Sequence, residues 1–163
     1  MGNAQPLIVA LVLGISSLTM GQLSYAGNGG APEHVSVDFD VPANSIKPGA
    51  CAFDIHVSGS GKAKTITLSD NRFIVTSPGL SLTVTNLFDP TKSVTLSVTG
   101  AFHLSKQNGN DVTVVTGRNL LGDPDAGFVL AIGTFSFVFD ASGTLVQPLM
   151  GRGQLINVCD LIS

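Results

Sequence analysis

The stretch FVLAIGTFSFVF, residues 128–139, is apolar and stays uncharged until Asp140. A segment of this kind at the edge of a sheet would promote aggregation, because its free backbone groups could pair with other chains. We therefore predict a central strand, with Phe135, Phe137 and Phe139 in the core. Gly133 lies inside the run, which indicates that the strand is strongly coiled at that point.

N-terminal to this strand, apolar and polar residues alternate with a period of two. Residues 80–85 (LSLTVT) and 93–99 (SVTLSVT) place Leu and Val on one face and Ser and Thr on the other, as expected for half-buried strands. Turn signals separate these runs. Residues 108–109 (Asn-Gly) predict a hairpin, residues 89–92 (Asp-Pro-Thr-Lys) predict a type I turn, and residues 59–61 (Gly-Ser-Gly) predict a further turn.

The pattern gives about eight strands with short links and no helical crossover. It predicts an all-β domain built as an antiparallel meander. A meander of this length either rolls into a barrel or folds into a two-sheet β-sandwich. Gly100 and Gly133 lie within strand patterns, so we expect a barrel-like sheet, because closure needs strong coiling. The two-sheet β-sandwich is the alternative.

The first 26 residues have the features of a cleaved signal peptide. Residues 6–23 carry no charge, and Ser24 and Ala26 place small side chains where a signal peptidase needs them. We expect cleavage between Ala26 and Gly27. The mature chain then divides into a flexible leader at 27–50, containing a candidate edge strand at 35–40, and a β-barrel or sandwich domain at 51–161.

Cys51 and Cys159 are the only cysteines. An exported chain reaches a compartment that permits disulfides, and two cysteines without clustered histidines make a poor metal site. We therefore predict a Cys51–Cys159 disulfide. Since the two residues flank the strand region, we also expect the first and last strands to lie side by side.

The composition argues against several partners. The chain contains eight Lys and Arg residues and eleven Asp and Glu residues, which gives a net charge of −3. A negative net charge does not favour binding to nucleic acid or to an anionic membrane surface. No Trp is present, and the single Tyr, Tyr25, lies in the predicted signal peptide. Surfaces that bind sugars or peptides favour those two residues, so neither ligand class is indicated.

Asp54, His56 and Ser58 combine the residue types of a hydrolase triad on one strand face. They all point the same way from a flat strand, and no strained elbow or helix N-terminus offers an oxyanion hole. A solvated polar face explains them better, and we predict no catalytic residue.

The sequence gives only weak indications of a metal site. Asp38 with Asp40, and Asp123 with Asp125, could contribute oxygens to Ca²⁺ but match no calcium loop, and Asp-rich turns are ordinary. His34, His56 and His103 lack metal-binding spacing. We predict no metal and no cofactor. The three isolated histidines and the two aspartate pairs are then surface or turn residues.

Residues 83–87 (TVTNL), 92–100 (KSVTLSVTG) and 158–161 (VCDL) form a recognisable series. Together they resemble a group of uncharacterised small secreted proteins of bacteria, especially actinomycetes, with a signal peptide, an early Cys and a Cys near the C-terminus. The resemblance covers roughly 50–161 and implies export and a β fold. It transfers no catalytic residues.

These observations predict a non-catalytic protein of the cell exterior, secreted or held in the cell envelope. It would bind a small apolar ligand inside the barrel, or play a structural or interaction role. Once the signal is cleaved, we expect no membrane association. The alternative is a barrel enzyme, an isomerase or cyclase of hydrophobic molecules, which would need Asp54, His56 or His103 inside the barrel.

Overall fold

The computed structural model of the chain describes residues 30–48 and 50–163. Every strand pair is antiparallel, so the predicted all-β antiparallel class is confirmed. The elements are β1 (Glu33–Val41), β2 (Ile55–Thr67), β3 (Phe73–Thr76), β4 (Ser81–Asn86), β5 (Ser93–Ser97), β6 (Ala101–Gln107), β7 (Asn110–Asp123), β8 (Gly127–Phe139), β9 (Leu145–Asn157) and the helical turn α1 (Val158–Leu161).

The strands form two sheets that share β2. Sheet A contains β1, β2, β4 and β5, and sheet B contains β2, β3, β6, β7, β8 and β9. Among the described residues β1, β5 and β9 each pair with one strand only, so the combined sheet is not closed. Hairpins join β6 through β9 in sequence, whereas β2 pairs with β4 and β3 pairs with β6.

The turn predicted at residues 59–61 is wrong, because these residues lie inside β2. Gly59 pairs with Val37 on one side and Leu82 on the other. A Cβ at Gly59 would lie 2.1 Å from the Ser81 carbonyl oxygen, and one at Gly61 would lie 2.4 Å from the Leu80 Cα. The glycines therefore allow close backbone contact where β2 passes from sheet A to sheet B, and they do not reverse the chain.

The continuous strand predicted through Gly100 is also divided. The chain leaves sheet A after Ser97 and enters sheet B at Ala101. Gly100 is buried in this crossing, and a Cβ there would lie 2.2 Å from the Asn119 side-chain oxygen. The two-residue alternation persists across the crossing, so the pattern alone does not reveal the change of sheet.

Other local predictions are confirmed. Asn108 and Gly109 both have positive φ, 52° and 84°, at the hairpin between β6 and β7, as a type I′ turn requires. The Lys92 N–H donates to the Asp89 carbonyl at 2.9 Å, which closes the turn between β4 and β5. The two turns that depend on positive φ at Asn108-Gly109 and on proline at position 90 therefore form where the sequence predicts them.

The interior consists of two apolar clusters. The first lies between sheet A and the β7–β8 hairpin, and the second lies on the opposite face of that hairpin. The buried members of the first include Ile55, Val57, Leu82, Val84, Leu120, Phe128, Leu130, Val158 and Ile162. Those of the second are Phe102, Val115, Leu121, Val129, Ala131, Phe135 and Phe137. Residues 128–131 are buried on both faces, as the opening stretch predicts.

The predicted central strand is confirmed as β8, which lies between β7 and β9. Phe135 and Phe137 are buried, and Phe139 packs half-buried at the margin of the second cluster. Gly117, Gly133 and Gly153 lie opposite one another on β7, β8 and β9. Their missing side chains allow the three strands to bend together at this row.

The predicted disulfide is present between Cys51 and Cys159, which are 108 residues apart in sequence with Cα atoms at 5.3 Å. The expectation that the first and last strands lie side by side is wrong. Cys51 lies in the loop before β2, Cys159 lies in α1, and β9 pairs with β8. The bridge joins two connecting segments at one end of the first cluster because both half-cystines pack there.

The predicted signal peptide and the Ala26–Gly27 cleavage position lie outside the described residues. The candidate edge strand at 35–40 falls within β1, whose residues Val35, Val37, Phe39 and Val41 pack on the first cluster. Of the described helices, none is long and apolar enough to cross a membrane.

Candidate functional site

The outer face of sheet A carries a regular grid of polar side chains, which we call the polar face. Three cross-strand rows run from β1 to β5: Ser36, Ser60, Ser81 and Ser97; Asp38, Ser58, Thr83 and Thr95; Asp40, His56, Thr85 and Ser93. The grid arises because residues two apart share a face while Val and Leu point into the first cluster. The Thr83 and Thr95 hydroxyls lie 2.9 Å apart.

His56 makes a side-chain hydrogen bond on the polar face with Asp40 and not with Asp54. The His56 Nδ1 lies 2.7 Å from the Asp40 Oδ1, and the two side chains are 32% and 64% exposed. Register places them directly opposite on β1 and β2. An exposed pair of this kind contributes little to stability.

Asp54 does not lie beside His56 and Ser58 on the polar face. Asp54 lies before β2, where its carboxylate accepts from the Ala43 N–H at 2.7 Å and its carbonyl accepts from the Leu87 N–H at 2.9 Å. Among the described residues, no Ser or Thr hydroxyl bonds to His56. The N–H groups of neighbouring strands are committed to the ladders on both sides of β2. This face therefore offers neither an activated hydroxyl nor an oxyanion hole.

Of the two aspartate pairs, Asp123 with Asp125 serves local structure. Asp123 is 5% exposed and accepts from the N–H groups of Asp125 and Ala126 at 2.9 and 2.7 Å, and from that of Leu149 at 3.4 Å. A carboxylate bound by three N–H donors closes a turn and leaves little capacity for a cation. Within residues 30–48 and 50–163, no three His, Cys, Asp or Glu side chains are grouped as a metal site.

A second exposed feature lies at the turn between β4 and β5. Phe88 is 91% exposed, Leu87 is 44% exposed, and Leu161 of α1 is 48% exposed. The turn is fixed to the C-terminal segment, because the Asn86 side-chain amide donates to the Ile162 carbonyl at 3.1 Å. We call Leu87, Phe88 and Leu161 the apolar tip.

Side-chain hydrogen bonds hold the backbone of the apolar tip in place. Asn86 is 4% exposed, and its side-chain oxygen accepts from the N–H groups of Phe88 and Asp89 at 2.9 and 3.2 Å. The Lys92 ammonium donates to the Ser163 carbonyl at 2.9 Å. The same end of the molecule carries the Cys51–Cys159 bridge. These hydrogen bonds fix the backbone that carries Phe88.

Charges around the apolar tip are mainly negative. Asp89 follows Phe88, Asp160 precedes Leu161, and Asp54 contacts Leu87 through its carbonyl, whereas Lys92 is the cation of this turn. Hydrogen bonds from the hydroxyl and then the backbone N–H of Thr91 lower the pKa of Asp89, and Lys92 acts in the same direction. Asp89 is thus ionised at neutral pH.

The apolar tip is not among the residues that the sequence pattern predicts as functional. Its signal is the pair Leu87-Phe88 immediately before the Asp89-Pro90 turn, outside the two-residue alternation that ends at Asn86. Two large apolar residues directly before a tight turn have no cluster of their own to enter.

His103, on β6, is half-buried on the outer face of sheet B.

Comparison with protein families, with curated proteins and with solved structures found no match.

Proposed function

We propose that this chain is an exported, non-catalytic protein of the cell exterior that acts by binding a partner protein through its apolar tip. The signal-like pattern of residues 1–26, the resemblance to small secreted bacterial proteins and the long-range Cys51–Cys159 disulfide support export. The interaction role follows from the surface of the described residues.

The main support for the interaction role is the exposure of Phe88. Single exposed apolar residues are normal on a protein surface, but Phe88 extends almost fully into solvent next to the exposed Leu87. Asn86, just before them, binds the C-terminal segment that carries the exposed Leu161. The backbone of Phe88 is fixed by this buried asparagine. A rigid aromatic residue is the usual energetic centre of an interface, because little conformational entropy is lost when its side chain enters a pocket.

The two other roles expected from the sequence receive less support. Asp54, His56 and His103, the groups on which a barrel enzyme would depend, lie at separate surface positions. A small apolar ligand would have to enter one of the two clusters. Ile55, Phe128 and Leu130 already fill the first cluster as fully buried side chains.

The proposal is tested in the native host with a photoreactive phenylalanine analogue. The analogue replaces Phe88 in one strain and Ala141, an exposed residue of the β8–β9 turn, in a matched strain. We expect one discrete cross-linked product from position 88, located outside the cytoplasm, and none from position 141. Equal labelling from both positions, or none from position 88, contradicts the interaction role.

Intact mass spectrometry of the same protein tests export and ligand binding. We expect a chain that begins at Gly27 and lacks two hydrogens because of the disulfide. A chain that retains residues 1–26 in the cytoplasm contradicts export. A stoichiometric small molecule released on denaturation would instead favour the apolar-ligand role.

A further inference from the structure

Sheet B exposes an apolar surface on the face opposite to the second cluster. Val75, Phe102, Val115 and Phe135 pair in register across β3, β6, β7 and β8 and point into the second cluster. Their sequence neighbours therefore point outward. These are Ile66, Ile74, His103, Val114 and Ser136, which also lie in one cross-strand row.

The apolar members of this row are not part of the interior. Ile66, Ile74 and Val114 are half-buried and pack in neither cluster, and Leu68, two residues beyond Ile66, is 38% exposed. Val112 and Val138 extend the same surface, since they lie opposite one another on β7 and β8 with the outward parity. His103 interrupts this row between Ile74 and Val114, and Ser136 ends it, so the apolar strip is densest at Ile66, Leu68 and Ile74. An exposed apolar strip on a sheet face marks an interaction surface.

Basic side chains surround this strip. Lys62 and Lys64 precede Ile66 on the same face of β2, and Arg72 lies at the start of β3 opposite Leu68. Three cations thus accompany two acids at this end of the molecule, Asp70 and Glu33, the latter opposite Ala63 on β1. We call Ile66, Leu68, Ile74 and Val114 with Lys62, Lys64 and Arg72 the basic apolar face.

The basic apolar face and the apolar tip are complementary. The tip presents Phe88, Leu87 and Leu161 near three aspartates and one lysine, a net negative set. The face presents branched aliphatic side chains near three cations and two acids, a net positive set. Opposite charges around matching apolar centres steer association and fix its orientation. The negative charges of the tip make an anionic lipid surface a poor alternative occupant.

The two surfaces lie near opposite ends of β2. Leu87 contacts Asp54 immediately before β2 begins, whereas Ile66 and Leu68 lie where it ends. The strand between them is on the order of 35 Å in length along its path. The tip is also fixed to α1, so it cannot fold back onto the face of its own chain.

We propose that the apolar tip of one copy docks on the basic apolar face of a second copy, so that the protein associates head to tail. This inference rests on the proposed function, in which the tip is a docking element, and identifies its partner as the same chain. Because the two contacting surfaces differ, each copy retains a free tip and a free face. Head-to-tail contacts of this kind build rings or open chains.

Sedimentation of the oxidised protein over a range of concentrations tests this arrangement. We expect species larger than a dimer to accumulate with concentration and to dissociate as salt rises. Phe88→Ser disables the tip, and Lys64→Glu with Arg72→Glu disables the face. Each change should weaken association about tenfold or more, without changing the circular dichroism spectrum, because the altered side chains are at the surface.

Mixing the two disabled proteins distinguishes head-to-tail docking from a symmetric dimer. Each is expected to be monomeric alone, whereas an equimolar mixture should form a one-to-one dimer from the intact face of one and the intact tip of the other. Leu155→Ser, which alters an exposed leucine of β9 outside both surfaces, should associate like the wild type.

Three results would overturn the proposal. The protein could stay monomeric at every concentration, it could associate equally well when tip and face are both altered, or the two disabled variants could fail to complement each other. A monomer whose position 88 still cross-links a different protein in the host would refute self-association but retain the proposed function. A monomer that sediments with phosphatidylcholine vesicles only when Phe88 is intact would identify a lipid surface as the occupant.

Discussion

The two apolar clusters of this domain are held together in different ways. The first is bordered by connecting segments, the loop before β2 and the turn α1, and the Cys51–Cys159 bridge joins them. The second is enclosed by continuous strands that bend at the row of Gly117, Gly133 and Gly153. One margin depends on a covalent bond between distant residues, and the other depends on backbone shape.

This difference bears on function. The apolar tip lies on the covalently joined side, where Asn86 binds the C-terminal segment. The basic apolar face lies on the reverse of the glycine-bent sheet. Each proposed docking surface is therefore supported by a different cluster, and damage to one cluster should affect the two surfaces unequally.

The largest expected effect comes from removing the bridge. A closed loop of 108 residues restricts the unfolded chain, and the loop-entropy relation assigns it about 4–5 kcal/mol. Cys51→Ala with Cys159→Ala should lower the free energy of unfolding by about that amount in urea titrations. Amide hydrogen exchange should accelerate first at residues 50–54 and 158–162 and last at 135–139.

Two controls accompany this measurement. The oxidised wild type in reducing buffer should approach the variant, because the same bond is lost. An unfolding midpoint that is equal with and without the bridge would contradict the assignment of the first cluster's margin to the disulfide. Exchange that accelerates equally in both clusters would show that they unfold as one unit.

A smaller effect is expected from filling the bend of the second cluster. Gly133 has φ +142°, and a Cβ there would lie 2.3 Å from the Arg152 carbonyl oxygen and 2.8 Å from the Gly153 Cα. Because both contacts are backbone atoms, β8 and β9 must separate. Gly133→Ala should cost about 3 kcal/mol and should reduce tip docking less than face docking.

Gly143→Ala is the matched control for the conformational part of that cost. Gly143 has φ +81° in the turn between β8 and β9, and a Cβ there meets nothing within 4 Å. It should cost about 1 kcal/mol through backbone conformation alone. Equal losses at the two glycines in thermal unfolding would show that close approach of the strands at Gly133 is unimportant.

The sequence predicts strand existence and burial well, because these depend on local alternation. Residues 128–139 and the Asn108-Gly109 hairpin are cases in which the pattern and the structure agree. The disulfide is predicted by the cysteine count together with the expectation of export. The strand and the hairpin each depend on residues that are close in sequence, and the disulfide depends on the only two cysteines of the chain. Such features can be predicted without knowing the connectivity of the sheet.

Connectivity was harder to predict because glycine has several structural roles. The Gly59-Ser60-Gly61 segment resembles a turn, yet β2 continues through it because β4 approaches too closely for any side chain. Gly100 marks a change of sheet within an unbroken alternation. The two-residue alternation does not predict the apolar tip, because Asn86 binds a C-terminal segment that is distant in sequence.

The smallest expected effect concerns the acid response of the tip. The Thr91 hydroxyl and N–H lower the pKa of Asp89 from its ordinary value of 3.8. A carboxylate with a lowered pKa in the folded state adds stability above its ordinary pKa, and this contribution is lost as the pH falls through the lowered value. The turn beneath Phe88 should therefore loosen only below about pH 4, and docking should be insensitive to pH between 5 and 8 as far as Asp89 is concerned.

Thr91→Val removes the hydroxyl but keeps the backbone N–H. The pKa of Asp89, followed by carboxyl carbon NMR, should rise part of the way toward 3.8. Asp140 is the internal control, because its pKa is lowered by hydrogen bonds from the Ser142 hydroxyl and the Thr144 N–H in a separate turn. Its titration should be identical in both proteins. A change at Asp140, or none at Asp89, would mean that the Thr91 hydroxyl does not hold the turn beneath the apolar tip.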